Sequence, residues 1–102
     1  MAEMLFEVET PLGVVVTTTV EYWNYIVTVK HRIMAGKEQE VREVLRHPDE
    51  IRRSRNAPDI FLYYQRTDRL YCAVVKHSED TGFLITAYPA DKVKEGEIIW
   101  TK

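Results

Sequence analysis

Five residues near and within the C-terminal third carry groups suited to gripping an anion: Tyr64, Arg66, Lys76, Thr86 and Tyr88. Arginine offers a planar fork for two oxygens, lysine a point charge, and the two hydroxyl types can donate to a nonbridging oxygen. The segment GFLITAYPADK (82–92) places Thr86 and Tyr88 two apart, so in a strand they share one face, while Phe83, Ile85 and Ala87 share the other. A sixth group, His31, lies four residues after Val27 and eight after Trp23. Helical spacing puts it on an apolar stripe. There it is either a proton-transfer group or a core-edge histidine that donates to a backbone carbonyl at a helix C-terminus. His47, before Pro48, and His77, at a strand end, read as surface residues.

Grouping these residues requires particular elements. MLFEVET and GVVVTTT flank Pro11-Leu12-Gly13 and predict an N-terminal hairpin over residues 4–17. Thr18 or Thr19 can cap a helix running from about Val20 to Ile33, with Glu21 in its first turn and Ala35-Gly36 after it. A second helix, Lys37 to His47, carries Val41, Val44 and Leu45 and stops at Pro48. Beyond a polar link with a short strand at Ile51, IFLYYQR, LYCAVVKH and GFLITAY read as strands joined by hairpin-length TDR and SEDT. The prediction is a single α+β domain: an N-terminal hairpin, two helices, and an antiparallel meander of three to four strands with both helices on one face.

Pairing Arg66 with Leu70 places Leu62, Tyr64, Arg66, Cys72, Val74 and Lys76 on one side of the meander, joined by Thr86 and Tyr88. The other side holds Phe61, Tyr63, Tyr71, Ala73, Val75, Phe83, Ile85 and Ala87, the more apolar surface and so the one expected beneath the helices. The run RRSR adds Arg52, Arg53 and Arg55, which either track a phosphate backbone or line a solvated sheet edge. Asp49, Glu50 and Asp59 dilute their field.

Composition limits the functional classes. The chain has 102 residues, 45% hydrophobic and 29% charged, which suits one globular domain. A formal charge of −2 gives no global attraction to polyanions, so RNA binding must rest on a local patch. Cys72 is the single cysteine, so no internal disulfide forms and no metal-type Cys/His grouping exists; no metal and no cofactor are expected. No apolar run approaches a membrane span and the start MAEMLFEVET does not read as a signal peptide, so no membrane association and a cytoplasmic location are expected.

WNYIVTVKH, then a helix ending LRHPDEI, then YY, VVK and FLITAY, resembles the small phage- and bacteria-associated branch of the barnase, EndoU, colicin tRNase and RelE-type group of nuclease folds over residues 20–95. Members of that group have N-terminal helices followed by a curved antiparallel sheet, and many are metal-independent ribonucleases acting as toxins. The resemblance implies that His31 matches the helix histidine, Lys76 a basic strand position, and Thr86 with Tyr88 the polar pair of the last strand, with residues 4–17 an addition to the core. RNA is then the expected substrate and a protein antitoxin or another protein the expected partner.

Metal-free RNA cleavage needs a base for the 2'-hydroxyl, an acid for the departing oxygen, and cations or donors around the developing charge. On that scheme His31 transfers a proton, Lys76 and Arg66 hold phosphate, Thr86 and Tyr88 donate to a nonbridging oxygen, and Tyr64 stacks on a base. The alternative is an inert protein-binding domain that uses its hydroxyl-bearing sheet face or an open sheet edge.

Overall fold

The structure, a computed structural model, describes residues 3–93 and 96–102. It is an α+β fold built on one seven-stranded mixed sheet. In chain order the elements are β1 (Met4–Glu9), β2 (Val15–Thr19), α1 (Val20–Tyr25), α2 (Glu38–Arg46), β3 (Glu50–Arg53), β4 (Ile60–Arg66), β5 (Leu70–Ser78), β6 (Thr81–Pro89) and β7 (Glu97–Thr101). The strand order is β1-β2-β6-β5-β4-β3-β7.

The N-terminal hairpin turns at Pro11-Leu12-Gly13, where Gly13 has φ 78° and its N–H donates to the Thr10 carbonyl at 3.0 Å. Thr19 caps α1, its hydroxyl accepting the Tyr22 N–H at 3.1 Å. The helix expected to continue to Ile33 stops being α-helical at Tyr25. A π-helical turn spans Ile26–Lys30, closed by the His31 N–H on the Ile26 carbonyl at 2.8 Å, and a 3₁₀ turn spans Arg32–Met34. The cause lies in Ile26-Val27-Thr28-Val29: four β-branched side chains crowd successive turns, and the Thr28 hydroxyl bonds back to the Asn24 carbonyl at 2.6 Å.

The sheet is not wholly antiparallel as expected. β2 joins β6 in parallel through Val15↔Thr81, Val16↔Gly82 and Thr17↔Phe83. β7, which the sequence reading did not anticipate, pairs antiparallel with β3 on the far edge. The meander β4-β5-β6 is antiparallel, with Arg66 opposite Leu70.

Two buried clusters lie on opposite sides of the sheet. The larger joins Trp23, Ile26, Met34, Val41, Val44 and Leu45 to Phe6, Val8, Val16, Ile51, Tyr63, Tyr71, Ala73, Val75, Leu84 and Ala87. The smaller holds Leu62, Tyr64, Leu70 and Cys72, with Val74, Tyr88, Ala90 and Val93 packed on it. Phe83 and Ile85, expected under the helices, are not part of the larger cluster. A β-bulge displaces them: Val74 faces Thr86 but Val75 faces Leu84, leaving Ile85 unpaired and reversing side-chain parity upstream of it. Leu84 fills the core in their place.

Gly82 is required by close packing of Val75 on β5 and of Val14 and Val16 against β6. A Cβ there would lie 2.8 Å from Val75 Cγ1 and 3.2 Å from Val14 Cγ1, both on buried residues with little room to shift. Gly82→Ala is expected to lower unfolding free energy by about 1 kcal/mol through overpacking, measured by urea denaturation. An unchanged midpoint would mean that the hairpin moves away freely.

Candidate functional site

The site starts at the edge of β6. After Phe83 the β2 partner has left, so the rest of that edge lacks a strand neighbour on this side. Its bulge carbonyl is satisfied by the helical segment instead. Ile85 O accepts from the Tyr22 hydroxyl at 2.9 Å and from Lys30 Nζ at 3.2 Å. The same ammonium lies 5.8 Å from the centre of the Tyr22 ring and 5.6 Å from that of Tyr25, and the Tyr22 ring meets Phe83 edge-on at 4.9 Å. These contacts clamp the π-helical turn onto β6.

His31, one residue past Lys30, is thereby carried around the sheet edge. Its ring lies 5.2 Å from that of Tyr88, at 35° between planes. Tyr88 belongs to the Cys72 side of the sheet, away from the helix core. His31 therefore leaves the buried stripe on which helical spacing placed it, because the helix it was to occupy has ended. Its backbone, at φ −144° and ψ 87°, has left helical geometry.

Burial pushes the Tyr88 hydroxyl pKa up, and the neighbouring Cys72 thiol and Tyr64 add to the shift. Tyr88 therefore keeps its proton. Thr86, opposite Val74 on the same side, has a buried Oγ1 with no hydrogen-bond partner among the described residues. Beyond Tyr88 a cavity of about 330 Å³ is lined by Tyr88, Pro89, Ala90, Asp91 and Lys92. His31, Tyr88 and Thr86 thus come to one end of β6, and Lys30, Asp91 and Lys92 stand beside them.

The other expected site residues do not join this group. Lys76 faces Phe83 and Ile60, four residues along β5 from Cys72 and hence about 13 Å away, and pairs with Asp59 at 3.8 Å. Arg66, whose backbone N–H donates to Asp49 Oδ2 at 2.7 Å, sits at the end of β4 opposite Ile60, the partner of Lys76, so the two cannot hold one phosphate. Tyr64 is 1% exposed, and no ring face is open to a nucleobase. The arginines of RRSR are dispersed: Arg52 pairs with Glu50 at 2.6 Å, Arg53 pairs with Glu97, and Arg55 lies exposed in the β3–β4 link. An alternating strand sends successive side chains to opposite faces, which is why a run of basic residues does not make a patch here.

A second concavity, about 350 Å³, lies where Asp49 is held between the Arg66 amide and Lys102 Nζ, 3.1 Å away, with Trp100 and Gln65 among its lining. Partial burial would raise the Asp49 pKa, but the Arg66 amide and the Lys102 ammonium more than offset it, and the net shift is downward. Its charges are matched internally.

Lys30, Asp91 and Lys92 were missed by sequence reasoning. Lys30 adjoins His31, and its signal was the break in helix-favouring residues that precedes it. Among the described residues no group of three or more His, Cys, Asp or Glu could hold a metal ion, and no helix is long and apolar enough to cross a membrane. Comparison with protein-family models, with curated proteins and with solved structures finds no match to this chain.

Proposed function

We propose that the chain is a small metal-independent ribonuclease of the barnase, EndoU, colicin tRNase and RelE-like type, acting on RNA in the cytoplasm. The observation that carries this reading is the placement of His31 against Tyr88, outside the helix–sheet core, on the side of β6 that bears Thr86. A structural histidine would be expected to stay with Trp23 and Ile26, in the core.

In this mechanism His31 takes the proton of the 2'-hydroxyl as that oxygen attacks phosphorus. The P–O5' bond breaks, and the imidazolium returns the proton to the departing 5'-oxygen, so one imidazole serves both steps. Lys30, whose ammonium sits on Ile85 O, and Lys92, which lines the cavity with Tyr88, offset the extra negative charge of the phosphorane. Tyr88 holds the imidazole plane and remains neutral. Lys76 and Arg66 play no part at the phosphate.

Cleavage of single-stranded RNA in EDTA by wild type and His31→Ala tests the reading, which fails if wild type cleaves no RNA pool between pH 5 and 8. A second reading, an inert protein-binding domain, is favoured by the exposed apolar residues Tyr25, Val29 and Ile33 on the segment that carries His31.

A further inference from the structure

The turns between α1 and α2 expose apolar side chains that the core does not use. Tyr25 is 45% exposed, Val29 65% and Ile33 51%, all within nine residues, and an isolated fold loses free energy by leaving them in water. The same stretch is unlike the rest of the chain in charge. From Tyr22 to Lys37 it holds Lys30, Arg32 and Lys37 and no Asp or Glu. Subtracting its +3 from the chain's −2 leaves −5 on the other 86 residues. Lys37 pairs with Glu40 at 3.9 Å, whereas Lys30 and Arg32 are exposed and have no carboxylate partner among the described residues.

We propose that this surface docks an acidic protein segment of a separate partner, one that seats apolar side chains on Tyr25, Val29 and Ile33 and sets carboxylates against Lys30 and Arg32. Charge complementarity selects that occupant. A second copy of this chain meeting the patch about a two-fold axis would set Lys30 and Arg32 against their own kind. Single-stranded RNA would use the cations and Tyr25 but gains nothing from Val29 and Ile33. The inference goes beyond the ribonuclease reading and stands without it.

The test is selection of a random 16-residue peptide display library on immobilised full-length protein, with recovered peptides then titrated against wild type, Val29→Ser/Ile33→Ser and Lys30→Glu/Arg32→Glu. All four side chains are exposed, but Lys30 also donates to Ile85 O, so circular dichroism checks each fold and the single variant Arg32→Glu, which leaves that anchor in place, must weaken binding as well. The expected result is a set of peptides rich in Asp and Glu with two or three apolar anchors. Each variant should weaken their binding at least about tenfold, and binding should weaken further between 50 and 300 mM NaCl. Any of four results overturns the proposal: no peptides recovered, neutral or basic peptides, peptides that bind Val29→Ser/Ile33→Ser as tightly as wild type, or a wild-type dimer that the same variant dissociates. A labelled oligouridylate that binds through Lys30 and Arg32 while no acidic peptide does so assigns the patch to RNA and overturns it as well. RNA cleavage by wild type is measured separately, so loss of the docking reading and loss of the ribonuclease reading remain distinct outcomes.

Discussion

On the ribonuclease reading, His31→Ala is expected to reduce cleavage of single-stranded RNA in EDTA by at least about 100-fold, the range for removal of a positioned proton-transfer group. The fold should survive the change. His31 is half-buried, its ring touches only Tyr88 among the aromatic contacts, and the turn that carries it is anchored by Tyr22 and Lys30 on Ile85 O. The thermal midpoint of the variant is therefore expected within a few degrees of wild type. Lys76→Ala, about 13 Å from the Tyr88 row, should leave cleavage within roughly twofold. The combination matters more than any single number. A variant that loses stability and activity together makes His31 a packing residue, and equal losses at His31 and Lys76 would place the chemistry elsewhere on the sheet.

Acidification from pH 7 to pH 4 costs the folded protein about 1–2 kcal/mol through His77 alone. Burial lowers its pKa to about 4, from an ordinary value of 6.5. The ring is stacked on Phe61 at 3.8 Å, its Nε2 lies 3.0 Å from the Tyr63 hydroxyl, and that hydroxyl also reaches Thr10 Oγ1 at 3.2 Å. Burial raises the Tyr63 pKa to about 12, so the phenol keeps its proton throughout. Because the folded-state pKa is the lower one, the unfolded chain binds the proton first. The contribution is complete above pH 6.5 and is lost as pH falls toward about 4. A fully buried ring with this shift would be worth about 3 kcal/mol, and solvent at the half-buried edge reduces that figure. Urea unfolding at pH 7.5, 6, 5 and 4 measures the slope, and His77→Phe should flatten it. Equal slopes for the two proteins would assign the acid sensitivity to other groups.

Side-chain alternation was a sound guide up to one residue. It put Leu62, Tyr64, Cys72 and Val74 on the face that also bears Tyr88, and it put Phe61, Tyr63, Ala73, Val75 and Ala87 on the other, as the two clusters have it. It failed at Phe83 and Ile85 because a bulge adds a residue without any sign in the strand's composition. The 3.6-residue stripe was equally sound for Val41, Val44 and Leu45 and failed after Tyr25, where β-branched residues were counted as apolar but not as poor helix formers. Both failures fall at the site, since the bulge and the π-helical turn are the features that bring Lys30 and His31 to β6. The burial of Tyr64 was not legible either. Ala90 and Val93, which follow β6, pack on the cluster that contains Tyr64, and nothing local in the sequence announces that return.

The parallel contact between β2 and β6 also bears on how the chain acquires its sheet. Val15 meets Thr81 and Arg53 meets Glu97, so two of the six strand seams close loops of more than 40 residues. A seam of that kind forms only after a large loss of chain entropy, whereas the β4-β5-β6 hairpins close locally. The meander is the natural nucleus, and the N-terminal hairpin docks on it late, with α1 following directly behind β2. Lys30 and His31 reach β6 only after that docking. During synthesis His31 therefore comes to Tyr88 in the last stage of folding, when β2 finds an edge whose residues emerge 66 positions after its own.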